Sequence, residues 1–155
     1  MPYILRNGEG RRLHASSTGD IVTLKSTQLE TEGRVAFLEY ESAPGFAGPP
    51  PHTHDGHEEL FYVVSGELNM LVGDDILVCK PGDFAFAPRN VRHTFWNEGG
   101  NVCKFVAAFS PAGFEGIFEP AHESVLAGVE MSDAEEEELA ARFDMKIVDW
   151  PSERP

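Results

Sequence analysis

An all-β fold follows from three features of the sequence. The chain has 155 residues, enough for one core, which excludes a large multidomain enzyme and a (β/α)8 barrel of roughly 250 residues. Its 15 glycines and 11 prolines are more punctuation than a helical bundle tolerates and suit short strands joined by turns. Strand-like runs recur about every nine residues through the middle of the chain, the spacing of a sandwich or barrel. The hydrophobic content of 41% is that of an ordinary globular chain and argues against wholesale disorder.

Taken in order, residues 20–26 and 34–41 read as outer strands, the second placing Phe37 and Glu39 on one face and Leu38 and Tyr40 on the other. The segment from Ala43 to Pro51 holds prolines that lack an amide donor, so it is a stiff loop and not a central strand. Strands follow over 59–64, 67–72, 76–79, 84–87, 93–97 and 102–109. Ser65-Gly66 predicts a tight hairpin with Val63 opposite Leu68, Phe61 opposite Met70 and Glu59 opposite Val72. That face is apolar except for Glu59. Because an unpaired carboxylate is not tolerated in a dry core, either Glu59 faces a cavity that holds a counter-charge, the preferred reading, or the hairpin register is wrong.

Beyond Pro111 the pattern turns helical. Phe114, Ile117 and Phe118 predict a short helix ending at Pro120, and Ser132-Asp133-Ala134-Glu135 has the spacing of a capping box that opens a helix over 133–143. The acidic run Glu135 to Glu138 then lies near a helix N-terminus, where the macrodipole favours it, and reads as a solvated face and not as a partner-binding tail. The expected organisation is a barrel over 1–110 with an acidic helical extension, 111–155, packed on the same domain.

Twelve basic residues against 26 acidic ones give a formal charge of −14, a field that repels a phosphate backbone and excludes nucleic acid as a natural partner. No apolar run approaches the length of a membrane span, and Arg11-Arg12 precedes a polar stretch and not a signal core, so the expected location is cytoplasmic. Cys79 and Cys103 form no CxxC pair and are expected as reduced, buried thiols.

The chemistry is concentrated in His52-Thr53-His54-Asp55-Gly56-His57-Glu58-Glu59. Residues two apart share a strand face, so the imidazoles of His52 and His54 can converge on one ion. Glu59 has the opposite parity. The backbone must therefore turn between them, and Asp55-Gly56 is a turn dipeptide placed to do so. His93 is the fourth candidate ligand.

Together these residues resemble the two motifs of the cupin family. His52, His54, Glu59 and Gly66 match the first, and Gly82, Pro88, His93 and Asn97 match the second. The chain departs from the motifs at Phe46 and Asn90, each of which stands where the family has glycine. Asn90 can still take a positive φ. Pro49-Pro50-Pro51 before the site and the stretch from Phe109 to Gly116 after it are similar to small single-domain cupins of the quercetin dioxygenase-like group. The resemblance implies a jelly-roll (double-stranded β-helix) barrel and a homodimer. It also implies one divalent transition metal ion per chain (iron, manganese, nickel, copper or zinc) held by His52, His54, Glu59 and His93. Dioxygenase chemistry on a small aromatic or enol-type molecule, with Glu59 also serving as proton acceptor, is implied as well. Non-redox isomerase, cyclase or lyase chemistry and simple small-ligand binding are the alternatives.

Around these positions, His57 reads as an exposed loop residue and His14 and His122 as surface residues. Arg89 and Arg92 read as solvated loop charges, with anion binding as the alternative. Phe61, Met70, Phe86 and Phe95 either line a pocket or fill the core.

Overall fold

The computed structural model describes residues 2–150. Eleven strands form two antiparallel sheets that face one another. One sheet has six strands in the order β1 (Arg11–His14), β2 (Ile21–Ser26), β3 (Ala36–Ser42), β10 (Cys103–Ser110), β5 (Glu58–Ser65) and β8 (Phe84–Ala87). The other has five, in the order β11 (Lys146–Ile147), β4 (His52–Thr53), β9 (His93–Trp96), β6 (Leu68–Val72) and β7 (Asp75–Cys79). Three α-helices, α1 (Gln28–Thr31), α2 (Phe118–Ala127) and α3 (Asp133–Arg142), and a 3₁₀ turn at Phe114–Ile117 complete the fold. This is the jelly-roll architecture expected from the sequence.

Alternation along each strand builds the core. Leu38 and Tyr40 point inward from β3, Phe61 and Val63 from β5, Leu68 and Met70 from β6, and Phe105, Ala107 and Phe109 from β10. Fully burying one such aromatic or aliphatic side chain contributes on the order of 1.5–3 kcal/mol. The rings also pack on each other, with Tyr40 stacked on Phe105 at 4.8 Å and edge-on to Phe95 at 5.2 Å.

The hairpin expected at Ser65-Gly66 is not formed. β5 pairs with β10 and β8, whereas β6 pairs with β7 and β9, so the turn carries the chain from one sheet to the other. Both strands still bury the expected residues, because facing across a core and pairing side by side demand the same alternation. Gly66 is required there: it has φ 78°, and a Cβ would lie 2.9 Å from the carbonyl oxygen of Val102.

The C-terminal half differs in a second respect. Pro120 does not end a helix; it sits in the first turn of α2, where its missing N–H would have no partner in any case. α3 begins as expected, with Ser132 accepting from the Glu135 amide and the Glu135 carboxylate accepting from the Ser132 amide. The same signature opens α1 at Thr27 and Glu30, a four-residue helix with no buried residue and so no apolar stripe to mark it. Strands β1, β4 and β11 are too short or too polar for alternation to mark them; in β1 only Leu13 enters the core. Both cysteines are free and buried.

Candidate metal centre

The loop from His54 to His57 bends at Asp55-Gly56 and links β4 of one sheet to β5 of the other. Opposite parity is thereby resolved: His52 and Glu59 approach from facing sheets. His93 pairs directly with His52 across β4 and β9. The imidazole centroids lie 4.4 Å apart for His52 and His93, 4.8 Å for His52 and His54, and 5.0 Å for His54 and His93. Each of His52, His54, Glu59 and His93 is buried and offers one ligand atom, and these atoms all lie within 4.8 Å of one another.

The donor chemistry fits a metal ion. Each of the three imidazoles has its Nδ1 against a backbone carbonyl: His52 with Pro50 at 2.8 Å, His54 with Asp144 at 2.8 Å and His93 with Val91 at 2.9 Å. An Nδ1–H that donates outward leaves the Nε2 lone pair for the site. Nε2 of His54 is buried and has no hydrogen-bond partner. Nε2 of His93 stands 3.0 Å, and Nε2 of His54 3.4 Å, from Oε2 of Glu59. Lone pairs cannot face a carboxylate at such distances without a cation between them, either a proton or a metal ion.

The titration tendencies agree with this. Burial works to raise the Glu59 carboxyl, but the pull of the His54 and His93 imidazoles beside it outweighs burial and holds it down at about 2. Burial, reinforced by His93, pushes His52 down to about 3, so it is a neutral donor at physiological pH. For His93 burial acts against the charged form, yet the Glu59 carboxylate wins and raises it.

His52 and Glu59 also line a cavity of about 310 Å³. Its walls are apolar: Leu38, Tyr40, Phe95 and Phe105 from the barrel, and Phe114, Phe118, Met131 and Leu139 from the C-terminal segment. Burial, then the charge of Asp20, raises the Tyr40 phenol, which stays neutral. Of the four apolar candidates only Phe95 lines this cavity; Phe61 and Met70 are core, and Phe86 lies exposed on the outer face of β8.

Other expectations need correction. His57 is buried, not exposed: its ring packs 4.0 Å from that of His54, its Nδ1 meets the Asp144 carboxylate at 3.0 Å, and its Nε2 has no partner. Burial, then the neighbouring His54, lowers it to about 4, so it is neutral. His14 and His122 are half-buried and stacked on one another at 5.4 Å. Arg89 pairs with Glu58, and Arg92 with Asp74. Asn90 takes φ 62°, as expected of that residue. Near Phe46, Gly48 is required by close packing, since it has φ 78° and a Cβ there would lie 1.8 Å from the Phe95 carbonyl oxygen. Asn97 is buried and donates to the carbonyls of Ser42, Ala43 and Asn101, tying the loop after β9 to the one that precedes the histidines. Asp144, which contacts both His54 and His57, carried no signal in the sequence.

A barrel of two antiparallel sheets with three buried imidazoles and a carboxylate converging beside an apolar cavity defines a class of β-barrel protein with a candidate metal site. Residues 38–109 match the cupin domain family. The chain is 31% identical over 121 residues to quercetin 2,3-dioxygenase of Bacillus subtilis, an alignment that takes in 77% of this chain and 33% of that protein. It therefore spans about a third of the length of that relative. Among solved structures, KdgF from Halomonas sp. superposes with a TM-score of 0.64 at 19% identity, covering 75% of this chain and 99% of that one. The polyketide cyclase RemF from Streptomyces resistomycificus superposes with a TM-score of 0.61 at 21% identity, covering 71% and 80%. At those identities the two share the fold. The chain has the cupin fold, with a cupin domain over residues 38–109, and its motifs and the Bacillus relative liken it to the quercetin dioxygenase-like group.

Proposed function

We propose that this cupin is a metal-dependent dioxygenase acting on a small aromatic or enol-type substrate. The observation that carries the reading is the convergence of three imidazoles and the Glu59 carboxylate within 4.8 Å of one another, two of them, His52 and Glu59, lining the apolar cavity. His52, His54, Glu59 and His93 would hold one divalent ion, which supplies Lewis acidity and, if redox-active, reactivity toward dioxygen. The aromatic walls exclude water and select a flat apolar ligand. Tyr40 offers a neutral hydroxyl. Glu59, ionised and within reach of a hydroxyl bound beside it, accepts the substrate proton. The barrel is the reaction vessel, and the described part of the C-terminal extension, through Phe114, Phe118 and Leu139, closes its mouth.

Homodimerisation and a cytoplasmic location belong to the same reading. Among the described residues no helix is long and apolar enough to cross a membrane.

The test is metal analysis of the purified protein coupled to an oxygen-electrode screen of flavonols, catechols and diketones. Close to one transition metal ion per chain and oxygen uptake with one of these classes are expected. Substrate conversion that proceeds equally well without oxygen would replace the oxidative reading with isomerase, cyclase or lyase chemistry. Binding without conversion would leave a ligand-binding protein.

A further inference from the structure

We propose that Asp144 is a positioning residue for the metal centre, holding the loop that carries His54 in its ligating geometry; this rests on the metal-binding reading above. Asp144 follows α3 with φ 60° and belongs to neither motif. Its backbone oxygen accepts from Nδ1 of His54 at 2.8 Å, which sets the tautomer and aim of that ring. Its carboxylate accepts from the Asp55 amide at 3.1 Å and the Gly56 amide at 2.8 Å, and Oδ2 lies 3.0 Å from Nδ1 of His57. A Cβ at Gly56 would approach Oδ2 to 3.0 Å, so the small residue makes room for this contact.

The consequence is mechanical. The turn between β4 and β5 must hold a ligand histidine while switching sheets, and two of its amides end on one distant carboxylate. His57, fixed by that carboxylate, in turn supports one face of the His54 ring, while Phe114 packs edge-on to the same ring at 4.7 Å. Two residues further on, Lys146 pairs with Thr53 and Ile147 with His52. The C-terminal segment thus grips both histidines of the first motif, and Asp144 is the residue through which it does so at His54, with its backbone oxygen on the ring and its carboxylate on the loop that carries it.

The experiment titrates the metal-free protein with Co²⁺ and follows its visible absorption bands, alongside the melting temperature of the metal-free state. Four chains are compared: wild type, Asp144→Gly, Asp144→Asn and Ser132→Ala. Asp144→Gly keeps the backbone carbonyl and the left-handed conformation but removes the carboxylate. It should weaken Co²⁺ binding roughly 10–100-fold and alter the bands. Asp144→Asn retains one acceptor and tolerates the same φ, so its loss should be intermediate. Ser132→Ala loosens the start of α3 without touching the loop; it should lower the melting temperature and leave affinity unchanged.

Wild-type affinity and bands in Asp144→Gly would overturn the proposal, as would an equal loss of affinity in Ser132→Ala, which would make the role one of general stability. If Asp144→Gly does not fold, Asp144→Asn decides: a several-fold loss supports the assignment and no loss overturns it. A wild-type chain that takes up no Co²⁺ overturns the metal reading together with this one.

Discussion

At the scale of single residues, Glu59 brings together the fold's least favourable burial and its most useful charge. A carboxylate this deep is stabilised only by the imidazoles around it, so removing any one of them leaves a charge without its partners. His52→Ala or His93→Ala should therefore lower metal content and, in the metal-loaded protein, melting temperature together, since ion binding contributes folding free energy. Elemental analysis and calorimetry check this, and full occupancy in both variants would show the ligands to be elsewhere. Glu59→Gln keeps the shape and an oxygen donor but removes the charge and most of the basicity. Turnover per bound ion should fall roughly 10²–10⁴-fold if Glu59 accepts the proton. Unchanged turnover per ion would reduce Glu59 to a ligand.

Among the elements, α3 can be adjusted from its N-terminus, because Ser132 and Glu135 lie outside the cavity lining. Ser132 caps it, and Ser132→Ala should destabilise the protein by about 1 kcal/mol. The effect should depend on pH with a definite sign. Hydrogen bonds from the Ser132 amide and hydroxyl hold the Glu135 carboxyl below its ordinary value. A depressed folded-state value gives stabilisation that is present above the ordinary carboxyl range and lost as pH falls through the depressed value. The difference in melting temperature between wild type and Ser132→Ala should thus be widest near neutrality and shrink on acidification. A difference that stays constant down through that range would mean the Glu135 half of the capping box contributes nothing. The capping signal was legible at Ser132, and the same signal opens α1 at Thr27, whose Gln28 amide is also held by the distant Glu115 carboxylate.

For the molecule as a whole, the outer face of the six-stranded sheet is where self-association is to be expected. Phe84 and Phe86 are exposed on β8, an edge strand, and Tyr62, which pairs with Phe84, and Val64 are exposed on β5. A short, apolar edge of this kind favours burial against a second copy across a two-fold axis. The opposite edge, β1, carries Arg11 and Arg12, which pair with Glu119 and Glu41 on the same chain. Light scattering at micromolar concentration should give a dimer. Phe84→Glu should give a monomer with the metal site intact, and because the formal charge of −14 opposes association, added salt should favour the dimer. A wild-type monomer, or a Phe84→Glu dimer, would remove this face from consideration.

What the sequence determined by itself was whatever repeats or is spaced along the chain. Alternation placed Leu38, Tyr40, Phe61 and Met70 inward, and the spacing of His52, His54, Glu59 and His93 marked four residues that the fold does bring together. The turn at Asp55-Gly56 followed from parity, and positive φ at Asn90 from its side chain. Only the tertiary structure decided which strand pairs with which, because the same alternation serves a hairpin and two strands facing across a core. It alone buried His57, chose Phe95 and not Phe86 for the cavity wall, and set Asp144 beside a histidine ninety positions away. Periodicity is a property of neighbours along the chain, whereas burial depends on which distant surface arrives to exclude water, and no local pattern encodes that surface.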